Sequence, residues 1–126
     1  MHNATTEFLG KCYFKKGVAA LAAKQYDQAL DLLRKARDNN PKDGFVYYNM
    51  AEASLFQRNY AEAEKALNQA LDLMPRSAAV FQRMGLVYEK QKKWDLSLNA
   101  YQKANELNPS PGLKEAIARI SELKKR

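Results

Sequence analysis

Residues 44–75 read GFVYYNMAEASLFQRNYAEAEKALNQALDLMP, and this stretch recurs on both sides of itself. Pro75, which ends it, stands 34 residues from Pro41 and 34 from Pro109. Counting back 31 residues from each proline starts three segments, at Gly10, Gly44 and Ala78. Their fourth positions are Tyr13, Tyr47 and Phe81, and their eighth are Gly17, Ala51 and Gly85. The seventeenth are Tyr26, Tyr60 and Trp94, and the twentieth Ala29, Ala63 and Ser97. The twenty-fourth are Leu33, Leu67 and Tyr101, and the twenty-seventh are alanine throughout, Ala36, Ala70 and Ala104. Columns that alternate large and small in this way suit paired helices. The small side chains let two backbones approach and the large ones fill the space beside them. Each proline stands just past the second helix and stops it, because its ring cannot continue the hydrogen-bond ladder.

The pattern resembles the tetratricopeptide repeat, whose period is 34 residues and whose unit is a helix–turn–helix. The resemblance runs from Gly10 to Pro111. It departs at the seventh position, usually leucine, where the first repeat has Lys16. It departs again at the eleventh, usually tyrosine, where Ala20 and Ser54 stand beside Tyr88. The fold this implies is all-α: a right-handed superhelical solenoid of three helix–turn–helix repeats with a C-terminal capping helix. The expected division is a lead over 1–9, repeats over 10–43, 44–77 and 78–111, and a capping helix with a basic tail over 112–126. The expected helices run over 10–23, 26–39, 44–57, 60–73, 78–91 and 94–107. The first is expected to start early, capped near Thr5 or Thr6, with Phe8 and Leu9 continuing its apolar face. A seventh, over 112–125, carries Leu113, Ile117, Ile120 and Leu123 on one side, as a cap on a helical stack should.

Length and composition agree with this. The chain has 126 residues, a hydrophobic fraction of 46% and a charged fraction of 28%, a globular balance. Five glycines and four prolines are too few for a turn-rich β fold. No apolar run approaches the roughly 20 residues that span a bilayer. The start, MHNATTE, lacks the basic and apolar segments of a signal peptide. One cysteine, Cys12, rules out an internal disulfide and favours a reducing, cytoplasmic setting, with an exported or anchored fragment as the alternative.

The residue pattern holds no catalytic constellation and implies no cofactor. His2 is the single histidine, so no ordinary zinc site can be assembled. Asn3-Ala4-Thr5 matches a glycosylation acceptor, read as a chance match at a terminus. Cys12, on a repeated helical segment, is expected to be a buried or half-buried packing residue rather than a nucleophile. Asp27, Asp31, Glu62, Glu64, Asp72 and Asp95 fall on the second helices of the repeats, where a solvated face is expected.

The resemblance implies a concave groove walled by the first helix of each repeat, a place for extended peptides or partner helices. Its positions here are Phe14, Val18 and Leu21, then Phe45, Tyr48, Asn49, Glu52 and Leu55, then Gln82, Arg83 and Leu86. One branch of the family clamps the acidic tails of cytosolic heat-shock chaperones with five polar residues. Only Asn49 and Arg83 match that set; Phe14, Val18 and Ala79 replace the rest. The expected groove is therefore apolar, oriented by Asn49 and Arg83, and its expected occupant is an apolar peptide or an amphipathic helix. The expected role is a protein–protein interaction module, monomeric by default, with self-association through exposed ends as the alternative.

The net charge of +7 is uneven. Lys90, Lys92 and Lys93 crowd the turn before Trp94, and Lys124-Lys125-Arg126 closes the sequence. Solubility is the plainer reading of these ends, and nucleic acid is not the expected partner. Alternative functions are a piece of a longer repeat scaffold, or a binder of anions, nucleic acid or a membrane surface through the basic ends.

Overall fold

The computed structural model describes residues 4–126, so His2 and Asn3 lie outside the described residues. Seven helices follow in order: α1 (Ala4–Ala22), α2 (Tyr26–Asn39), α3 (Gly44–Phe56), α4 (Tyr60–Leu73), α5 (Ala78–Lys90), α6 (Trp94–Leu107) and α7 (Pro111–Lys124). No strand occurs among the described residues. They form two compact units, α1–α4 up to Leu73 and α5–α7 from Met74.

In the first unit α1 packs on α2, α2 on α3 and α3 on α4. The repeating columns form the seams. Ala29, Leu33 and Ala36 are buried along α2, and Ala63, Leu67 and Ala70 along α4. A Cβ on Gly17 would stand 2.9 Å from Leu33 Cδ2, so the first seam needs a residue without a side chain there. Tyr47 is buried, and its hydroxyl donates to the Pro41 carbonyl over 2.9 Å, tying α3 to the turn before it.

In the second unit α5 packs on α6 and α6 on α7. A Cβ on Gly85 would stand 2.8 Å from the Tyr101 ring, and the Ser97 hydroxyl donates to the Gly85 carbonyl over 2.8 Å. Ser97 is thus the polar counterpart of Ala29 and Ala63, buried with its hydrogen bond satisfied. On α7, Leu113, Ala116 and Ile120 are buried with Tyr101 and Ala104, while Ile117 and Leu123 pack at the margin. The buried stripe therefore keeps Leu113 and Ile120 of the expected line, takes in Ala116, and leaves Ile117 and Leu123 at its margin.

Helix starts follow local chemistry. Asp43 accepts from the Phe45 amide over 3.0 Å, Ser77 from Val80 over 3.3 Å and Ser110 from Leu113 over 3.1 Å. Pro111 opens α7, where its missing N–H costs nothing. The three turns inside the helix pairs share one closure. Gln25 donates to the Ala20 carbonyl, Asn59 to Ser54 and Lys93 to Tyr88, each over 2.9 Å and five residues back. This is the Schellman geometry, which sets the intervening residue left-handed. Those residues are Lys24, Arg58 and Lys92, with φ of 63°, 61° and 60°. A cation fills, in every repeat, a position where glycine costs least.

Three sequence expectations need correction. The first helix starts early, as expected, but Thr5 and Thr6 lie inside it and do not cap it. Phe8 and Leu9 are exposed. Gly10 already faces Asn39 and Asn40 at the end of α2, so α1 residues before it project past the helix that would cover them. Cys12 is exposed as well. The buried side of α1 is set by Gly10, Gly17 and Ala20, and Cys12 falls about 120° from its centre at 100° per residue.

Candidate functional site

The residues expected to wall a groove divide between the two units. Eight lie in the first, on α1 and α3, two helices that touch each other. Phe14, Val18 and Leu21 recur at helical spacing along α1, and each is half-buried. Phe45, Tyr48, Glu52 and Leu55 recur along α3 in the same way, with Asn49 beside them. Tyr48, Asn49, Glu52 and Leu55 are half-buried, whereas Phe45 is 60% exposed. A large aromatic left this open contributes little to packing and is available to a partner. The Asn49 side-chain amide donates to the Phe45 carbonyl one turn back over 2.8 Å, which fixes the side chain along α3. At the far end of the same helix Phe56 stacks on Tyr26, with ring centroids 5.3 Å apart and planes 11° from parallel. Asp27 accepts from the Gln57 side chain beside that stack over 2.6 Å.

The second unit carries the other three, all on α5. Gln82 is exposed, and Arg83 and Leu86 are half-buried. One helical turn beyond Leu86, Glu89 anchors a cluster that sequence reading does not reveal. Its carboxylate accepts from Arg119 Nε over 3.2 Å, from Arg119 Nη2 over 2.9 Å and from the Tyr101 hydroxyl over 2.9 Å. Burial, the hydrogen bond to Glu89 and the charge of Glu89 push the Tyr101 phenol well above the usual tyrosine range, partly offset by Arg119 and Arg83. The Arg119 guanidinium is likewise raised, first by its hydrogen bond to Glu89. The capping helix thus reaches a side chain on the same stripe of α5 as Gln82 and Leu86. No periodicity relates residues 30 apart, so a single sequence holds no signal for this pair.

Two clefts lie away from the groove positions. One, of about 600 Å³ between α2 and α4, is polar, with Asp31, Arg34, Arg37, Glu62, Lys65 and Gln69 among its lining. The other, of about 380 Å³ between α5 and α6, is walled by Phe81, Met84, Tyr88, Leu96 and Ala100. None of the eleven expected groove residues lines either cleft. Of the eight positions on α1 and α3, Phe45 is exposed and the other seven are half-buried.

Among the described residues, no group of histidine, cysteine and carboxylate side chains is placed to hold a metal ion. No helix among them is long and apolar enough to cross a membrane.

Comparison with known proteins gives one consistent result. A family profile described as tetratricopeptide repeat matches residues 2–76, and a second of the same description matches 78–111. The first repeat domain of Spaghetti (RPAP3), solved with the HSP90 peptide SRMEEVD, superposes with a TM-score of 0.92 at 22% identity, over 95% of this chain and 96% of that one. The Arabidopsis OM64 domain superposes at 0.90 and 22% identity, over 93% and 98%. The TPR2B domain of yeast Sti1, solved in a complex with pHsp70, superposes at 0.87 and 15% identity, over 92% and 98%. At these identities the likeness is one of fold. No curated protein matches the chain.

Proposed function

The chain belongs to the tetratricopeptide-repeat family, and from that premise we propose that it is a protein-interaction module whose α1–α3 face holds a segment of a partner, without a catalytic step. The observation that carries this reading is the apolar stripe of Phe14, Val18, Leu21, Phe45, Tyr48 and Leu55 on two touching helices, with Phe45 open to solvent. Aromatic side chains in such a stripe are the usual anchors of a peptide interface. The proposed ligand is an extended peptide or an amphipathic helix that presents apolar side chains. On the second unit, Gln82, Arg83 and Leu86 are proposed as further contacts, Arg83 serving as a fork for a carboxylate or carbonyl.

Structures of this fold hold chaperone tails, as the SRMEEVD complex shows for Spaghetti. Phe14, Val18 and Ala79 argue against transfer of that ligand, since two of the three cations of the clamp are replaced here. A library of displayed peptides tests the reading, with SRMEEVD as the reference ligand. Enrichment of sequences with two or more large apolar residues, and weak binding of SRMEEVD, is the expected outcome. Enrichment of acidic C-terminal tails would overturn it.

A further inference from the structure

Two basic clusters that stand more than thirty residues apart in sequence meet in the second unit. Lys124 Nζ lies 2.7 Å from Asp95 Oδ1, which sets the C-terminal end of α7 beside the start of α6 and the turn before it. The recess there is lined by Lys92, Lys93, Trp94, Asp95, Leu96 and Lys124. Lys90, Lys92, Lys93, Lys124, Lys125 and Arg126 are all exposed at this end, with Asp95 and Glu122 as the exposed acids among them. Leu96 is 47% exposed, and Trp94 is half-buried with its ring packed against the core of the unit.

We propose that this end of the second unit docks on an anionic lipid surface, its six cations meeting the headgroups and Leu96 entering the interfacial layer. A cluster of four to eight lysines and arginines is the density at which anionic membranes are bound. The apolar neighbour decides between polyanions. A phosphodiester backbone or a run of acidic side chains offers the exposed Leu96 no apolar counterpart. A bilayer interface accepts both the cations and an apolar wedge. The Lys124–Asp95 pair is exposed on both sides (51% and 79%), so Asp95 lowers the local positive charge at little structural gain. This proposal is independent of the α1–α3 face.

The test uses the full chain and vesicles of phosphatidylcholine, alone or with about a third phosphatidylserine. Trp94 is the sole tryptophan, so its emission reads contact at the patch itself. Phosphatidylserine vesicles carrying doxyl-labelled lipid should quench Trp94, and phosphatidylcholine vesicles should not. Each of Lys92→Gln and Lys124→Gln should weaken vesicle binding by about fivefold, and raised salt should weaken it further. Asp95→Asn should strengthen binding severalfold, which loss of a merely structural ion pair would not do. All three positions are exposed, and circular dichroism checks that the variants fold. Equal binding to neutral vesicles, binding unmoved by the lysine substitutions, or association with a single-stranded oligonucleotide or poly-glutamate in place of vesicles would overturn the proposal.

Discussion

Arg119 on α7 holds Glu89 on α5 with two nitrogens, Nε at 3.2 Å from Oε2 and Nη2 at 2.9 Å from Oε1. The carboxylate also accepts the Tyr101 hydroxyl of α6, so one side chain joins all three helices of the second unit. Glu89 is 19% exposed and Arg119 51%, which makes the two ends unequal. Arg119→Ala should cost about 0.5–1 kcal/mol, since solvent screens the arginine. Glu89→Ala should cost more, about 1–3 kcal/mol, because it also strips the buried Tyr101 hydroxyl of its acceptor. Urea denaturation of both single variants and the double variant measures this. Equal costs for the two single variants would show that the Tyr101 bond adds nothing.

Tyr101 gives the same cluster a pH signature. Its phenol is raised in the folded state, so the protonated form is the one the fold favours. The resulting stabilisation is complete below the unfolded tyrosine value of about 10 and is lost as pH climbs above it. Ultraviolet titration of the seven tyrosines should show one ionising last and coincident with unfolding. Tyr101→Phe should remove that step and flatten the alkaline fall in stability. A last-ionising tyrosine that survives the substitution would assign the step elsewhere.

Small residues at the seams give predictions of unusual sign. Gly→Ala inside a helix normally stabilises by up to about 1 kcal/mol. Gly17→Ala and Gly85→Ala should instead destabilise by about 1–3 kcal/mol, because the new Cβ falls within 3.0 Å of Leu33 and of the Tyr101 ring. Thermal melts distinguish the two signs directly.

The left-handed turn residues point the other way. Lys24→Gly, Arg58→Gly and Lys92→Gly should each raise stability by about 0.5–1 kcal/mol, relief of the left-handed strain outweighing the entropy that glycine adds to the unfolded chain. Alanine at the same sites keeps the strain and should give no gain. A gain from alanine equal to that from glycine would place the effect in the side chain and not in the backbone.

The columns of large and small residues made the helix pairs legible, because those residues interlock at every seam and recur at a fixed spacing. The caps expected from sequence were Thr5 or Thr6; Asp43 and Ser110, which do cap helices and act within three residues of themselves, were not among them. Features set by where a neighbouring helix ends were not legible. Phe8 and Leu9 look like a continued apolar face, and only the end of α2 beside Gly10 shows that nothing covers them. Cys12 fits a packing residue until the angle of the buried side of α1 is known. The Glu89–Arg119 and Lys124–Asp95 pairs join α7 to residues about thirty positions earlier, and they depend on how that helix lies against its unit. The candidate groove stood in the sequence only as a set of positions implied by the resemblance, and which of them are half-buried was not legible there.

The central claim is that the α1–α3 stripe is a binding face. Calorimetry with an apolar peptide selected from the library, against the unaltered chain and against Phe45→Ala and Tyr48→Ala, tests it most directly. Phe45 is exposed and Tyr48 half-buried, so both variants should keep their fold. Truncating an aromatic anchor costs roughly 1–3 kcal/mol of binding, so affinity should fall about tenfold or more in each variant. Unchanged affinity in both would contradict the claim and move the site off these helices.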